Sequence, residues 1–346
     1  MSTIRLLDVA GLFHPTWRVK ESAGRPIGEA AAETVQVLRE RAAAGGADYV
    51  VACCDSGRCF RHDIALEYRA TDPDYRGYKG NRPERDAALI AALDRVIDNL
   101  EQDGVPVFRA PGFEADDILA TLATWATAQG HDVEIVSDDK DLRALVCASM
   151  TLTVDDEPVQ HGGVSVVKRD GEVIGPADVK AKFGVEPHQM AEYLAMVGDM
   201  SDHIKGIPGI GETKAAAMLS TYGTFVAIYE AAEKDAEYVA ECECKLALAR
   251  EEKVRPLPTF AKPKFQNATR GAILASRALF DISLRLTRLR TDVPVDLAAV
   301  TAPRVPKPRD MGFDVAMSEN DNASANEEED DIMTPSESQP LPPMGQ

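Results

Sequence analysis

Short apolar runs alternate with longer segments of helical composition through the first half of the chain. The four apolar runs fall at residues 4–13, 45–56, 105–110 and 132–137. Segments with apolar residues at helical spacing separate them, at about 28–44, 83–103 and 114–129. This alternation predicts an α/β fold with a mostly parallel, twisted sheet flanked by helices. After about Gly175 the composition predicts a second, helical lobe.

Acidic residues recur at the ends of the predicted elements. Asp8, Asp55 and Asp139 follow three of the strands, and the carboxyl ends of parallel strands meet at one rim of a sheet. The full set of candidate metal ligands is Asp8, Asp55, Glu114, Asp116, Asp117, Asp139, Asp141, Asp199 and Asp202. Helix capping or compensation of the helix dipole, worth about 0.3–1 kcal/mol per acid, explains the acids at 114–117 and at 138–141 when each group is taken alone, whereas Asp199 and Asp202 share one face and repel unless a cation lies between them. Only their conjunction at one rim points to a site.

Nine carboxylates at one rim would repel each other unless cations lay between them. All-oxygen ligation favours hard divalent cations, so the set predicts Mg²⁺ or Mn²⁺, in two or more ions. Pairs of such ions catalyse phosphodiester hydrolysis. The sequence therefore predicts a metal-dependent hydrolase.

A glycine-rich stretch, GIPGIG at 206–211, lies between two predicted helices. Gly206, Gly209 and Gly211 permit the positive φ angles that aim successive backbone N–H groups at one anion, and Lys214 adds a cation in the next helical turn. This arrangement predicts a grip on the backbone of a nucleic acid that does not read its sequence. The alternative is an ordinary Gly-Pro-Gly turn between helices.

The segment 60–85 is basic within an acidic chain. Arg76, Lys79 and Arg82 recur at intervals of three and are interleaved with Tyr75 and Tyr78. Cations beside aromatic rings are typical of single-stranded DNA binding, whereas the alternative is a solvated basic loop.

The net charge of −19 argues at first against a nucleic-acid partner. Residues 301–346 hold ten acids and three cations, so this region carries 3 − 10 = −7 and leaves −12 for residues 1–300. Its polar, Pro-rich composition predicts a disordered acidic tail whose partner the sequence does not identify. No apolar run is long enough for a membrane span, and the first residues do not resemble a signal peptide, so we expect a cytoplasmic protein.

Six motifs then occur in the order found in the 5′-nuclease family. They are LLDVAG, CCDSGRCFR, YKGNR, GFEADDILA, VSDDKDL and MVGDMSDHIKGIPGIGETKA. Through these motifs the chain resembles bacteriophage flap endonucleases and the 5′-3′ exonuclease domain of bacterial DNA polymerase I. The resemblance implies a PIN-like catalytic core at 1–175 with a helical arch at about 60–105. It also implies a helical DNA-binding lobe at 176–300 with a helix-three-turn-helix motif, followed by the tail at 301–346.

The resemblance also implies roles for single residues. A first metal would be held by Asp8, Asp55, Glu114, Asp116 and Asp117, and a second by Asp139, Asp141, Asp199 and Asp202. Lys79 and Arg82 would be catalytic residues of the arch, and the residues that contact DNA would be Arg61, Arg76, Tyr78, Lys79, Arg82, Gly206, Gly209, Gly211 and Lys214. A potassium ion is implied at the 206–211 hairpin. This chain has Pro15 where relatives have an arginine, which leaves His14 or Arg18 for that phosphate contact.

The function that we expect is a monomeric 5′-3′ exonuclease or 5′-flap endonuclease of phage-type DNA replication, acting in the bacterial host cytoplasm. Its substrates would be DNA with 5′ flaps, nicks or 5′ ends, and RNA primers in RNA–DNA hybrids. One alternative is a DNA-binding module without catalysis. Another is a haloacid-dehalogenase-like phosphatase, but that class needs an Asp-x-Asp sequence after the first strand, and here Val9 and Ala10 follow Asp8.

Overall fold

The computed structural model describes residues 2–82, 87–154, 157–253, 259 and 261–302. All of them belong to one unit, Met1–Pro308, and the second unit, Arg309–Gln346, lies outside the described residues. Most of the predicted acidic tail therefore also lies outside them. Among the described residues, no helix has the length and apolar character needed to cross a bilayer.

A six-stranded sheet forms the centre of the first half of the chain, in the order β3-β2-β1-β4-β7-β8. The strands are β1 Thr3–Asp8, β2 Tyr49–Cys53, β3 Val107–Phe108, β4 Asp132–Val136, β5 Met150–Val154, β6 Glu157–His161, β7 Val164–Val167 and β8 Val173–Ile174. Pairing is parallel except between β7 and β8, while β5 and β6 form a separate antiparallel pair. The mostly parallel sheet predicted from the sequence is confirmed.

Helices cover both faces of this sheet and continue through the second half of the chain. They are α1 Val9–Ser22, α2 Ile27–Ala43, α3 Arg61–Ala65, α4 Ala87–Gln102, α5 Ala115–Ala128, α6 Pro176–Phe183, α7 Met190–Val197, α8 Glu212–Tyr222, α9 Phe225–Glu251, α10 Asn267–Ala275 and α11 Arg277–Thr287. Side chains alternate along β1, so that Ile4 and Leu6 join the core with α5, while Leu7 joins the core with α1, α2 and α4. The sheet is thus buried on both faces.

Several predicted boundaries were wrong. The strand expected at 4–13 ends at Asp8, because the Asp8 side chain accepts a hydrogen bond from the Gly11 N–H and caps α1. Pro15 lies inside that helix. The strand expected at 105–110 is only β3, and the helix expected after Asp139 is a single short 3-10 turn, Asp141–Leu145. Strands β5 to β8 were not predicted.

The region predicted to form an arch, about 60–105, contains α3, a 3-10 turn at Leu66–Ala70, and α4. Residues 83–86, which connect these parts, lie outside the described residues. The arch itself stays a prediction, as do the domain boundaries at 175 and 300.

The helical second half has its own aromatic contact at the centre. The rings of Phe225 in α9 and Phe280 in α11 stack with centroids 3.6 Å apart, and both side chains are buried. Such rings bury large apolar areas and hold the two helices together.

We expect Phe280→Ala to lower the free energy of unfolding by about 3–5 kcal/mol, because it removes a buried ring and leaves a cavity. Urea unfolding followed by circular dichroism measures the loss. Val226→Ala, at an exposed site on α9, is the matched control and should change stability by less than about 0.5 kcal/mol. Equal effects of the two substitutions would contradict this account of the packing.

Candidate active site

A cavity of about 310 Å³ opens at the carboxyl ends of the parallel strands. Its acidic lining residues are Asp8, Asp55, Glu114, Asp116, Asp138, Asp139 and Asp202, and its cationic ones are Arg18, Lys79, Arg82 and Lys140. The structure therefore gathers most of the predicted carboxylates at one rim, where acids outnumber cations by seven to four.

Asp8 is fixed at the end of β1 by two hydrogen bonds. The Gly11 N–H donates to Oδ1 at 2.8 Å, and the Ser137 hydroxyl donates to Oδ2 at 2.6 Å. A Cβ atom at position 11 would lie 1.9 Å from Oδ2, so only glycine fits there. The motif Asp-Val-Ala-Gly thus encodes the position of the carboxylate.

The start of α5 supplies a second group of acids. Glu114 immediately precedes the helix and Asp116 lies in its first turn, where the helix dipole favours negative charge. The Ala115 N–H donates to Asp55 Oδ1 at 3.0 Å, which ties the residue after β2 to the same helix end. Three carboxylates from two elements are therefore held together.

Protein cations lie between these carboxylates. Lys79 Nζ is 2.5 Å from Glu114 Oε1 and 3.8 Å from Asp202 Oδ2. The Arg82 guanidinium also pairs with Asp202, and Lys140 Nζ lies 2.9 Å from Asp199. Lys79 has a φ of 55°, an uncommon backbone angle for a residue other than glycine, so this turn holds the lysine in a left-handed conformation.

Burial disfavours the ionised carboxylates. Desolvation is the largest cause that raises the pKa of Asp8 to about 7, and the Asp139 and Asp55 charges add to it. Desolvation also raises the pKa values of Asp116, Asp139 and Asp141, again with neighbouring acids contributing. A bound cation would reverse this effect, because it favours the ionised forms.

Burial alone would lower the pKa of Lys79, but Glu114 and Asp202 outweigh it and raise this pKa above its usual value. Desolvation opposes ionisation of Asp199, yet hydrogen bonds from Ser201 and Lys140 hold the pKa of Asp199 below its usual value. The site thus keeps charges of both signs in contact.

Three of the predicted ligands, Asp117, Asp141 and Asp199, are not part of the cavity lining. The Asp141 N–H donates to Asp139 Oδ1 at 2.9 Å, and Asp141 Oδ1 is a buried oxygen without a hydrogen-bond partner. Asp199 lies behind Lys140. The Asp141 and Asp199 carboxylates are next to the lining rather than in it.

Within the described ranges, no three His, Cys, Asp or Glu side chains converge closely enough to hold a metal ion. The donor set nevertheless fits a hard divalent cation, since it consists of carboxylate oxygens whose ionisation burial disfavours, one of them on the unpaired Asp141. In this structure the positive charge next to the carboxylates comes from Lys79, Arg82 and Lys140.

Asp117, which was predicted as a metal ligand, lies outside the cavity lining. Its carboxylate is fully buried and receives Arg61 Nη1 at 2.6 Å and Nη2 at 2.7 Å, with a further bond from the Arg290 N–H at 2.9 Å. Both oxygens are therefore engaged on the side of α5 that faces away from the cavity.

Arg61, which was predicted to contact DNA, is buried in this structure. Only 2% of the residue is exposed. Besides Asp117, its guanidinium donates to Glu114 at 3.1 Å and to the Leu286 carbonyl at 2.9 Å, so it clamps α3, α5 and α11 together. Arg61 is a structural residue behind the site.

Tyr78 was predicted to stack on DNA bases, but its ring is buried. Its hydroxyl lies 3.0 Å from Glu114 Oε2 and 2.8 Å from Asp202 Oδ2, between two acids of the rim. Among the other predicted DNA contacts in this segment, Arg76 is exposed, whereas Lys79 and Arg82 are partly exposed at the cavity.

The glycine-rich hairpin joins α7 to α8, as the sequence suggested, but its three glycines differ. Gly209 has a φ of 76° and is the one among 206, 209 and 211 that adopts the positive angle. Gly206 is required for space instead, because a Cβ there would lie 2.2 Å from the Val197 carbonyl oxygen. Gly211 is extended at the start of α8, and Lys214 Nζ donates to the Gly209 carbonyl at 3.0 Å.

Sequence reasoning left out two charged lining residues, Asp138 and Lys140. Both lie in the motif VSDDKDL, where three acids around one lysine already indicated that the lysine is their counter-charge. The cavity also contains His14 and Arg18, the residues that the sequence offered in place of the arginine absent at Pro15.

Two protein-family models match the chain. The first, "5'-3' exonuclease, N-terminal resolvase-like domain", covers residues 5–184, and the second, "5'-3' exonuclease, C-terminal SAM fold", covers residues 185–309. DNA polymerase I of Rhizobium leguminosarum is 35% identical over 242 residues, which are 70% of this chain and 19% of the polymerase. DNA polymerase I of Deinococcus radiodurans is 36% identical over 175 residues, 51% of this chain and 16% of that protein. The chain spans less than a fifth of the length of these relatives.

Solved structures share the fold at lower identity. One described as divalent metal ions (zinc) bound to T5 5′-exonuclease has a TM-score of 0.55 at 20% identity, covering 84% of this chain and 90% of that one. The catalytic core of Rad2 in complex with DNA substrate has a TM-score of 0.53 at 14% identity, covering 88% and 83% of the two chains.

We expect Arg61→Gln to lower the free energy of unfolding by about 3–5 kcal/mol, because it leaves the buried Asp117 carboxylate without its counter-charge. Urea unfolding gives the loss. Arg285→Gln is the matched control, since it removes the half-exposed ion pair of Arg285 with Glu67 and should cost less than about 1 kcal/mol. Losses of the same size in both variants would show that the Arg61 clamp is not stabilising.

Proposed function

Because the chain belongs to the 5′-3′ exonuclease family, as its six motifs predicted, we propose that it hydrolyses phosphodiester bonds of DNA at or near 5′ ends. The observation that carries this proposal is the cavity at the carboxyl ends of the parallel strands, lined by seven carboxylates and four cations. Such a cavity can hold hard metal ions on one side and phosphate oxygens on the other.

We assign the metal-binding role to two groups of carboxylates. Asp8, Asp55, Glu114 and Asp116 line the cavity and would hold a first Mg²⁺ or Mn²⁺, whereas Asp117 lies outside the lining and is paired with Arg61. Asp139 and Asp202 would hold a second ion, supported by Asp141 and Asp199 behind them. Ions bound there would lower the pKa of water and neutralise charge on the phosphate.

The residues Lys79 and Arg82 bind and orient the scissile phosphate in this proposal. In the structure both cations are paired with rim acids, Lys79 with Glu114 and Arg82 with Asp202. Divalent ions on those acids would release the two cations toward the phosphate, where Lys79 supports the negative charge that develops during cleavage. Tyr78 positions Glu114 and Asp202 through its hydroxyl group.

DNA binding outside the cavity is assigned to Arg76 and to the hairpin at 206–211. The hairpin leads into α8, whose N-terminus lacks a side-chain cap at Gly211, and such a helix end binds phosphate through its N–H groups. A potassium ion at the hairpin has less support, because the Lys214 ammonium already occupies the Gly209 carbonyl.

The substrates of this activity would be 5′ flaps, nicks and 5′ ends of DNA, together with RNA primers in hybrids, cleaved by a monomer in the bacterial cytoplasm. A DNA-binding module without catalysis is the second candidate. The complete rim of carboxylates favours the enzyme, since a binding module has no use for buried acids.

We expect the double variant Asp116→Asn with Asp199→Asn to lower the Mg²⁺-dependent cleavage rate of a 5′-flap duplex by about 10³-fold or more, because several kcal/mol of charge stabilisation are lost. Affinity for the same DNA, measured by fluorescence anisotropy in Ca²⁺, should stay within about threefold, since the phosphate-binding cations remain.

Asp281→Asn, which changes an exposed acid on α11, is the control for that experiment and should cleave at the wild-type rate. Wild-type cleavage by the double variant would refute the assignment of the metal ligands. A wild-type protein that binds the flap but never cleaves it, with Mg²⁺ or with Mn²⁺, would favour the binding module.

We expect Lys79→Ala to lower kcat on the flap substrate by about 10²–10³-fold with a small change in KM, because the loss falls on charge that develops in the transition state. Lys79→Arg should recover part of the rate. Lys245→Ala, at an exposed site on α9, is the control. A rise in KM at unchanged kcat would show instead that Lys79 acts only in ground-state binding.

A further inference from the structure

A second cavity, of about 340 Å³, lies between the β7–β8 hairpin, α6 and the 3-10 turn Asp141–Leu145. Its lining residues are Arg143, Lys168, Glu172, Ile174, Asp178, Val179, Ala181, Lys182 and Phe183, none of which lines the candidate active site. The mechanism proposed above uses none of them.

Arg143 is the unusual residue of this cavity. It is only 5% exposed, yet its Nε is a buried donor with no hydrogen-bond partner. Its guanidinium lies over the ring of Phe183, 5.4 Å from the centroid. That contact holds the cation in place without neutralising its charge. Within the part of the chain that the structure describes, no carboxylate forms an ion pair with Arg143.

The other charges of the lining leave the guanidinium uncompensated. Glu172 is paired with Lys168 at 2.6 Å, and Asp178 accepts the Gly175 N–H at 2.8 Å at the start of α6. Lys182 is exposed and forms no ion pair among the described residues. Its ammonium lies over the ring of Phe183, the same ring that Arg143 contacts. Two cations, one buried and one exposed, therefore share an aromatic ring at a cavity with no acid committed to either.

We propose that this cavity binds a phosphate group, with Arg143 as the buried donor and Lys182 as the exposed one. A buried guanidinium nitrogen without a hydrogen-bond partner, such as Arg143 Nε, is costly unless an anion accepts from it, and the planar guanidinium group matches phosphate oxygens. The cavity is large enough for a phosphomonoester. The group comes either from a free phosphate or mononucleotide, or from the backbone of bound DNA.

The cavity shares two connections with the candidate active site. Arg143 follows Asp141 by two residues in the same 3-10 turn. Arg169, next to Lys168, donates its N–H to Asp138 at 3.2 Å and pairs with the same carboxylate at 3.4 Å. The two cavities are therefore connected through the turn that carries Asp141 and through the contact of Arg169 with Asp138.

The test uses the full chain and two probes. Inorganic phosphate and dAMP are titrated by calorimetry, and a nicked duplex is titrated by fluorescence anisotropy in Ca²⁺ over a range of KCl concentrations. The variants are Arg143→Gln and Lys182→Glu, and the control is Lys180→Gln, an exposed lysine of α6 paired with Glu186 outside the cavity. Lys182→Glu keeps the test valid if Arg143→Gln does not fold, because Lys182 is at the surface.

If free phosphate is the ligand, both variants weaken the affinity for phosphate and dAMP, Arg143→Gln by about tenfold or more, and Lys180→Gln does not. If the DNA backbone is the ligand, both variants weaken duplex binding and reduce the slope of log K against log salt by about one. The proposal is overturned if both variants match the wild type for both probes, or if Lys180→Gln loses as much as they do.

Discussion

The crowding of carboxylates at the ends of β1, β2 and β4 is the constraint on which the rest of the site depends. Parallel strands bring Asp8, Asp55 and Asp139 to one edge, and burial makes their charges costly, as the raised pKa of Asp8 shows. Lys79, from a distant segment, and Lys140, next to Asp139 in the chain, supply counter-charges. The same contacts fasten the turn around Tyr78 to the loop around Asp202, so the electrostatics of the site also organise the fold around it.

Two neighbouring acids at the start of α5 show how one motif serves two purposes. Successive helical residues point about 100° apart, so Asp116 faces the cavity while Asp117 faces Arg61. Arg61 in turn reaches Glu114, an acid of the rim, and the Leu286 carbonyl at the end of α11. The buried contacts of Arg61 thereby connect the candidate catalytic rim to the helical second half. A substitution of Arg61 would remove a hydrogen bond to Glu114 without removing a residue of the cavity lining.

The sequence allowed the α/β class, the positions of α2, α4 and α5, and the acidic rim to be predicted, because each has a local signature. Apolar periodicity gives the elements, and an acid after a strand must lie at the carboxyl edge of a parallel sheet. Strands β5 to β8 escaped prediction because they are short, and β5, β6 and β8 also lie at the sheet edge or apart from it. The burial of Arg61 and Tyr78 could not be predicted, because a basic, aromatic segment looks the same whether it faces DNA or is folded inward.

By itself, then, the sequence determined which chemistry the chain could hold: oxygen ligands for hard cations, glycines at 206 and 209 where the backbone needs a close approach or a positive φ, and basic residues near them. Only the tertiary structure decided which acids face the cavity and which cations neutralise them. Those choices depend on pairs such as Arg61 with Asp117 and Lys79 with Glu114, which lie far apart along the chain. Charge compensation acts through distance in space, and residue order alone does not specify that distance.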